Sequence, residues 1–165
     1  MKQKLNLAKA KTFAKRTFSK NFKGNRLDWM IKHSKIMEKL TDITSTTNIN
    51  KEIVKQACWL HDIGRISNDK KHSEESIKIL EKRFIVPEKL KDCIINHSPG
   101  KNPKTKEGKI IQILDKLSSF DPESTLKWME NEMKTKKDFK WMENYFNNAL
   151  KNLYILVGNY YKFTS

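Results

Sequence analysis

Residues 51–65 read Lys51-Glu52-Ile53-Val54-Lys55-Gln56-Ala57-Cys58-Trp59-Leu60-His61-Asp62-Ile63-Gly64-Arg65. Ile53, Val54, Ala57, Leu60 and His61 recur at the three-and-four spacing of one helical face, so the stretch predicts a helix over 51–62. Gly64 helps to end it. His61 and Asp62 are neighbours at that end. Neighbours on a regular helix diverge by about 100°, so the two can serve one site only if the helix stops there.

The same periodicity extends outward in both directions. Upstream, Trp29, Met30, His33, Ile36, Met37 and Leu40 share a face over 27–40, and Thr41 to Asn50 is a polar loop. Downstream, Ser67-Asn68-Asp69-Lys70 forms a loop and a helix over 72–84 carries Ile77, Leu80 and Phe84. Pro87 opens the next helix, where Leu90, Cys93, Ile94 and His97 share a face. Ser98-Pro99-Gly100-Lys101-Asn102-Pro103 is a loop. The helix over 107–120 bears Asp115, and Asp121-Pro122 breaks it. Two more helices follow, the last with an apolar stripe of Met142, Tyr145, Phe146, Ala149, Leu150, Leu153 and Val157 that is expected to pack as core.

With four prolines, five glycines and no alternating segment long enough for a strand, the chain reads as all-α, a single compact helical bundle. Its 165 residues suffice for one domain with a real core. The expected division is a basic N-terminal segment over 1–25, a core over 26–122, and C-terminal helices over 123–165 packing on that core. Within the N-terminal segment, Leu5, Leu7, Phe13, Phe18 and Phe22 anchor a short helix and a loop ending near Gly24.

Composition narrows the setting. No apolar run is long enough to span a membrane, and no apolar segment follows the N-terminal lysines as a secretory signal requires. Cys58 and Cys93 lie in apolar helical stretches and read as buried free thiols, which fits a reducing cytoplasm. The net charge of +15 suits an anionic partner, but lysine outnumbers arginine by 30 to 4. Readers of nucleic-acid sequence lean on the planar fork of arginine, so compositional drift explains the charge as well.

Chemistry concentrates in six residues. The chain has four histidines, His33, His61, His72 and His97, each beside a helical apolar stripe or at a helix end. Neutral imidazole binds borderline metals, and the Asp62 carboxylate beside His61 can ligate one ion or bridge two. Asp115, between Leu114 and Leu117, is costly to bury unless paired or metal-bound. Lys116 is adjacent in sequence but is expected to point elsewhere on the helix. Imidazole and carboxylate without thiolate favour Mn, Fe, Co, Ni or Zn over calcium.

The order His33, His61-Asp62, Asp115 resembles the HD-domain metal-dependent phosphohydrolases over residues 25–122. The resemblance implies an all-α fold of HD type and a first metal held by His33, His61, Asp62 and Asp115. His72 and His97 match the extra histidines of two-metal members. The segment Ile95-Asn96-His97-Ser98-Pro99-Gly100, with the interval to Asp115, is similar to bacterial HD hydrolases of diadenosine tetraphosphate. Their His-Thr-Thr-Gly motif is replaced here by His97-Ser98-Pro99-Gly100.

The expectation that follows is hydrolysis of a phosphate ester or phosphoanhydride in a nucleotide-type substrate, by water that one or two divalent ions activate. Asp62 and Arg65 are assigned the catalytic roles, Asp62 as ligand and holder of the nucleophile and Arg65 offsetting charge on the phosphoryl oxygens. Arg65, with Lys101 and Lys104 on the loop after His97, is expected to contact substrate phosphate. The alternative is a nucleic-acid-binding protein or phosphodiesterase on the same scaffold, using the basic N-terminus as a phosphate-contacting arm.

Overall fold

The computed structural model describes residues 2–44, 48–121, 123 and 139–164. Seven α-helices account for most of them: α1 (Leu7–Asn21), α2 (Gly24–Ile43), α3 (Lys51–Leu60), α4 (His72–Glu81), α5 (Glu88–Ile95), α6 (Lys106–Ser118) and α7 (Phe139–Thr164). A 3₁₀ turn over Ile63–Ile66 follows α3. The all-α class holds.

Helix α3 is the hub. Its Val54, Ala57, Cys58 and Leu60 are fully buried, and α1, α2, α5 and α6 pack around it. Asn50 starts it by accepting from the backbone N–H groups of Glu52 and Ile53, and its own N–H donates to buried Glu107 on α6. Because α3 is buried from Gln56 to Leu60, its last turn delivers His61 into the centre of the bundle. Helix α4 packs on the 3₁₀ turn and α5, and α7 packs on α6.

Several expectations change. Helix α1 is a full 15-residue helix, capped by Asn6, whose Ala10, Ala14 and Phe18 are buried against the hub. Leu5, Phe18 and Phe22 join the core cluster, so the segment is anchored over more of its length than a short helix and a loop would allow. Helix α4 stops at Glu81, and Phe84–Ile85 forms a two-residue parallel pair with Gln3–Lys4. Strands this short carry no period-two signal, so alternation could not reveal them. Helix α5 ends at Ile95, leaving His97 beyond it.

On α7, Ala149 and Leu156 are buried, but Leu150 is 53% exposed, contrary to its place in the expected core stripe. Met142 and Tyr145 have no described side chains, and the other expected C-terminal helix lies outside the described residues. Trp29, read as part of the α2 core face, is 44% exposed, while Met30, His33 and Met37 on that helix are buried. Gly64 was expected to terminate α3, yet its φ is not positive. Its role is space: a β-carbon there would collide with the His72 carbonyl oxygen and lie 2.6 Å from the Ser76 nitrogen, so only glycine lets the turn pack against α4. Ser76 closes that contact, its hydroxyl donating to the His61 carbonyl and accepting from the Gly64 N–H, each at 2.8 Å.

Candidate metal centre

Each of the four imidazoles is oriented by an oxygen acceptor on its Nδ1 side. His61 Nδ1 lies 3.2 Å from the Ala57 carbonyl, one turn back on α3. His72 Nδ1 lies 2.7 Å from the Asp69 carbonyl, and His97 Nδ1 lies 2.7 Å from the Ile94 carbonyl. Carbonyls only accept, so these rings carry their proton on Nδ1 and keep a lone pair on Nε2. His33 reaches the same state through Ser118. The Ser118 hydroxyl donates to the Asp115 carbonyl at 2.7 Å, so it accepts from His33 Nδ1 at 2.9 Å.

The four Nε2 atoms then meet in pairs, 3.3 Å apart for His33 and His61 and 2.9 Å apart for His72 and His97. Two lone pairs facing each other at that distance repel unless a cation stands among them. Asp62 lies between the pairs and is 3% exposed. Its Oδ2 is 3.6 Å from His61 Nε2, and its Oδ1 is 3.3 Å from His72 Nε2 and 3.8 Å from His97 Nε2. Among the described residues, buried Oδ1 has no hydrogen-bond partner. An orphaned carboxylate oxygen facing two imidazole lone pairs is the donor set that a divalent cation satisfies.

His33, His61 and Asp62 offer ligand atoms within 4.8 Å of one another, and so do Asp62, His72 and His97. Asp115 joins the first group, its Oδ1 lying 3.3 Å from His33 Nε2 and 3.8 Å from His61 Nε2. The structure thus brings all six candidate residues into one cluster.

Electrostatics suit that reading. Burial lowers the His61 and His72 pKa values and pushes His97 down to about 4, so these rings are neutral at physiological pH. Burial would raise the Asp62 carboxyl, but its interactions with the neighbouring His61 and Arg65 side chains outweigh it and hold the group well below the carboxylate range. Asp115 is likewise held low, against burial, by its contact with His33 and by Lys116. Lys116 does not point away, as expected from the helix. Its flexible stem folds back and places Nζ 3.0 Å from Asp115 Oδ2, leaving Oδ1 to the histidines.

Arg65 sits with Nε 2.8 Å from Asp62 Oδ2, a charge contact not aligned as a hydrogen bond, and with NH1 3.5 Å from Asp69. Asp69 also holds both oxygens against Arg26 NH2, at 3.0 Å each. Lys101 and Lys104 lie exposed on the loop after His97, and their ammonium groups contact no cluster residue. Buried Gln112 pins that loop, donating from Nε2 to the carbonyls of Asn96, Ser98 and Lys101. Ser76, Ser118, Asp69 and Gln112 were missed in the sequence. A polar residue on the inner face of an apolar helix was the available signal for Ser118 and Gln112.

A helical bundle with a hub histidine-aspartate pair and donors from four other segments is the architecture of HD domains, and the HD domain family model matches residues 29–119. The chain belongs to that family, whose members bind divalent metals and whose domain implies phosphohydrolase or nuclease-type activity. Ribonuclease Y of Treponema denticola is 29% identical over 133 residues, which cover 78% of this chain and 26% of that protein. A deoxyguanosinetriphosphate triphosphohydrolase-like protein of Caldanaerobacter subterraneus subsp. tengcongensis is 28% identical over 96 residues, 46% of this chain and 28% of that protein. The chain thus spans only about a quarter of the length of either relative. No solved structure matches it. Among the described residues, no helix is long and apolar enough to cross a membrane.

Proposed function

We propose that this chain hydrolyses a phosphate ester or phosphoanhydride bond of a nucleotide-type substrate. The observation that supports this best is Asp62, whose two oxygens face two separate histidine pairs, with every ring oriented to present Nε2. In this reading His33, His61, Asp62 and Asp115 hold one divalent ion of the Mn, Fe, Co, Ni or Zn type. Asp62, His72 and His97 hold a second. Bound there, such ions supply a Lewis acid for phosphoryl oxygens and lower the pKa of water toward neutrality.

The protein residues do the rest. Ser118 and the carbonyls of Ala57, Asp69 and Ile94 fix ring orientation, and Asp62 is the catalytic carboxylate that both groups share. Arg65 offsets the charge of Asp62 and, being partly exposed, contacts the incoming phosphate. Lys101 and Lys104 are weaker substrate contacts, since their loop is held through backbone groups and not through their side chains. The core of this activity is 26–122, with 1–25 and 123–165 as flanking structure, and the two buried free cysteines fit a cytoplasmic setting.

The relatives' names favour nucleotide phosphates: one acts as a ribonuclease, and the other resembles a nucleoside triphosphate hydrolase. A phosphodiester substrate is the second reading, favoured by the similarity to Ribonuclease Y over most of the chain. The deciding experiment is metal analysis of the purified chain. A phosphate-release screen follows, with Mn²⁺, Fe²⁺, Co²⁺ and Ni²⁺, across mononucleotides, dinucleoside polyphosphates, cyclic dinucleotides and single-stranded oligonucleotides. Absence of bound metal and of turnover under all conditions refutes the reading.

A further inference from the structure

The proposed chemistry does not use the aromatic ring at the rim of the cluster. Trp29 stacks on His33 with ring centroids 4.9 Å apart and planes 11° from parallel. It is 44% exposed. His33 is its only ring contact among the described residues. Burying the indole against neighbouring apolar side chains would have been the ordinary outcome for a tryptophan on an apolar helix stripe. Instead one face is backed by a proposed metal ligand and much of the ring is left to solvent.

Two cations flanking Trp29 on α2 already face carboxylates. Arg26 is bound by both oxygens of Asp69, and Lys32 lies 3.2 Å from Asp121 and 2.9 Å from Glu123. Beside the first metal group, α2 thus presents an exposed aromatic plane backed by His33. A flat ring at that distance from a phosphate-binding centre matches a nucleobase, which is joined to its phosphate through a single sugar. Every base has a π-face, and stacking on an aromatic side chain recognises it without regard to sequence.

We propose that Trp29 is the specificity-determining residue of this site. It stacks the base of the nucleotide whose phosphate occupies the cluster, so a base-bearing substrate is selected over a base-free phosphate ester. The inference rests on the reading that the cluster takes a phosphate group. It adds that the substrate is a nucleoside phosphate or a single-stranded nucleic acid, and that α2 measures the base.

Binding tests this without turnover. Calorimetry on the metal-loaded full chain compares the adenosine phosphonate whose 5′ oxygen is replaced by carbon with the corresponding ribose phosphonate. A second arm compares a short phosphorothioate single-stranded DNA with its counterpart lacking the central base. The wild type should prefer the base-bearing ligand by about 5- to 150-fold, the range of one base–aromatic stack. Trp29→Ala should abolish the preference and leave ribose phosphonate affinity and bound metal unchanged, whereas Trp29→Phe should keep most of it. A preference confined to the first arm identifies a mononucleotide; one confined to the second identifies a strand.

The proposal is overturned by a wild type with no base preference, including one that binds neither ligand. It is also overturned by a preference that survives Trp29→Ala. Loss of metal in Trp29→Ala would assign the ring to holding His33 and equally overturn it. A base preference without hydrolysis of any nucleotide would remove the proposed activity and leave this site standing. Turnover without a base preference would do the reverse.

Discussion

The two halves of the cluster are built differently. His33 and Asp115 sit within α2 and α6, and His61 caps α3, so the first group is carried by helix faces packed on the hub. His72 is the first residue of α4, and His97 lies past the end of α5, so the second group is carried by helix ends and turns. The charges differ too. The first group holds Asp115 as well as a share of Asp62, whereas the second has only its share of Asp62. The first group should therefore bind its ion more tightly and with less reorganisation, and the second should depend on how firmly its turns are held.

The largest expected effect comes from the residue common to both halves. Asp62→Ala removes the shared carboxylate and should abolish hydrolysis and strip most bound metal, as read by metal analysis with phosphate release. Wild-type turnover and metal content in that variant would reduce the cluster to a structural feature. Next come His72→Ala and His97→Ala, each of which should lower the metal content from about two ions per chain to about one and cut activity steeply. The ion that remains should be the one resisting mild chelation. Saturation of the wild type at one equivalent, with both variants still binding it normally, would erase the distinction between the halves.

Gly64→Ala probes the seam between them. The β-carbon has no room against α4, so the chain should lose about 1–3 kcal/mol of stability in denaturant titration, with the second ion lost before the first. Ser118→Ala should act only on the first half, through His33, weakening its ion by about 10- to 100-fold in competitive chelation.

The smallest effect is expected from Asp92, which holds the loop beyond His97 through Lys104 N, Thr105 N and the Thr105 hydroxyl. Burial would raise its carboxyl, but those hydrogen bonds depress it below the ordinary 3.8. A depressed folded-state value stabilises the protein above the unfolded value and loses that contribution as pH falls through the folded one. Asp92→Asn should therefore cost about 1 kcal/mol at neutral pH, given partial exposure, and the gap from wild type should close below about pH 3.8.

Where the chain's periodicity was strong, local reading carried far. The α3 stripe and the pairing of His61 with Asp62 were legible because a buried helix must repeat its apolar residues every three or four positions. His33 and Asp115 stood out because polar groups on apolar faces are costly without a partner. The same logic failed for Trp29 and Leu150, which lie on apolar stripes yet are exposed, since a stripe does not say where its covering surface ends. It failed for Lys116 as well, because a four-carbon stem can reach back to a neighbour that the helical wheel places elsewhere.

By itself the sequence indicated the helical class and six candidate donors, from local spacing and residue chemistry, and the family, from a resemblance. Only the tertiary structure decided that Asp62 faces two histidine pairs, that every imidazole keeps its lone pair on Nε2, and that Arg65 leans on Asp62. It also decided that α1 belongs to the core. Those outcomes depend on hydrogen bonds and packing between residues far apart in the chain, such as Ser118 with His33 and Ser76 with His61, and no local pattern records such partners.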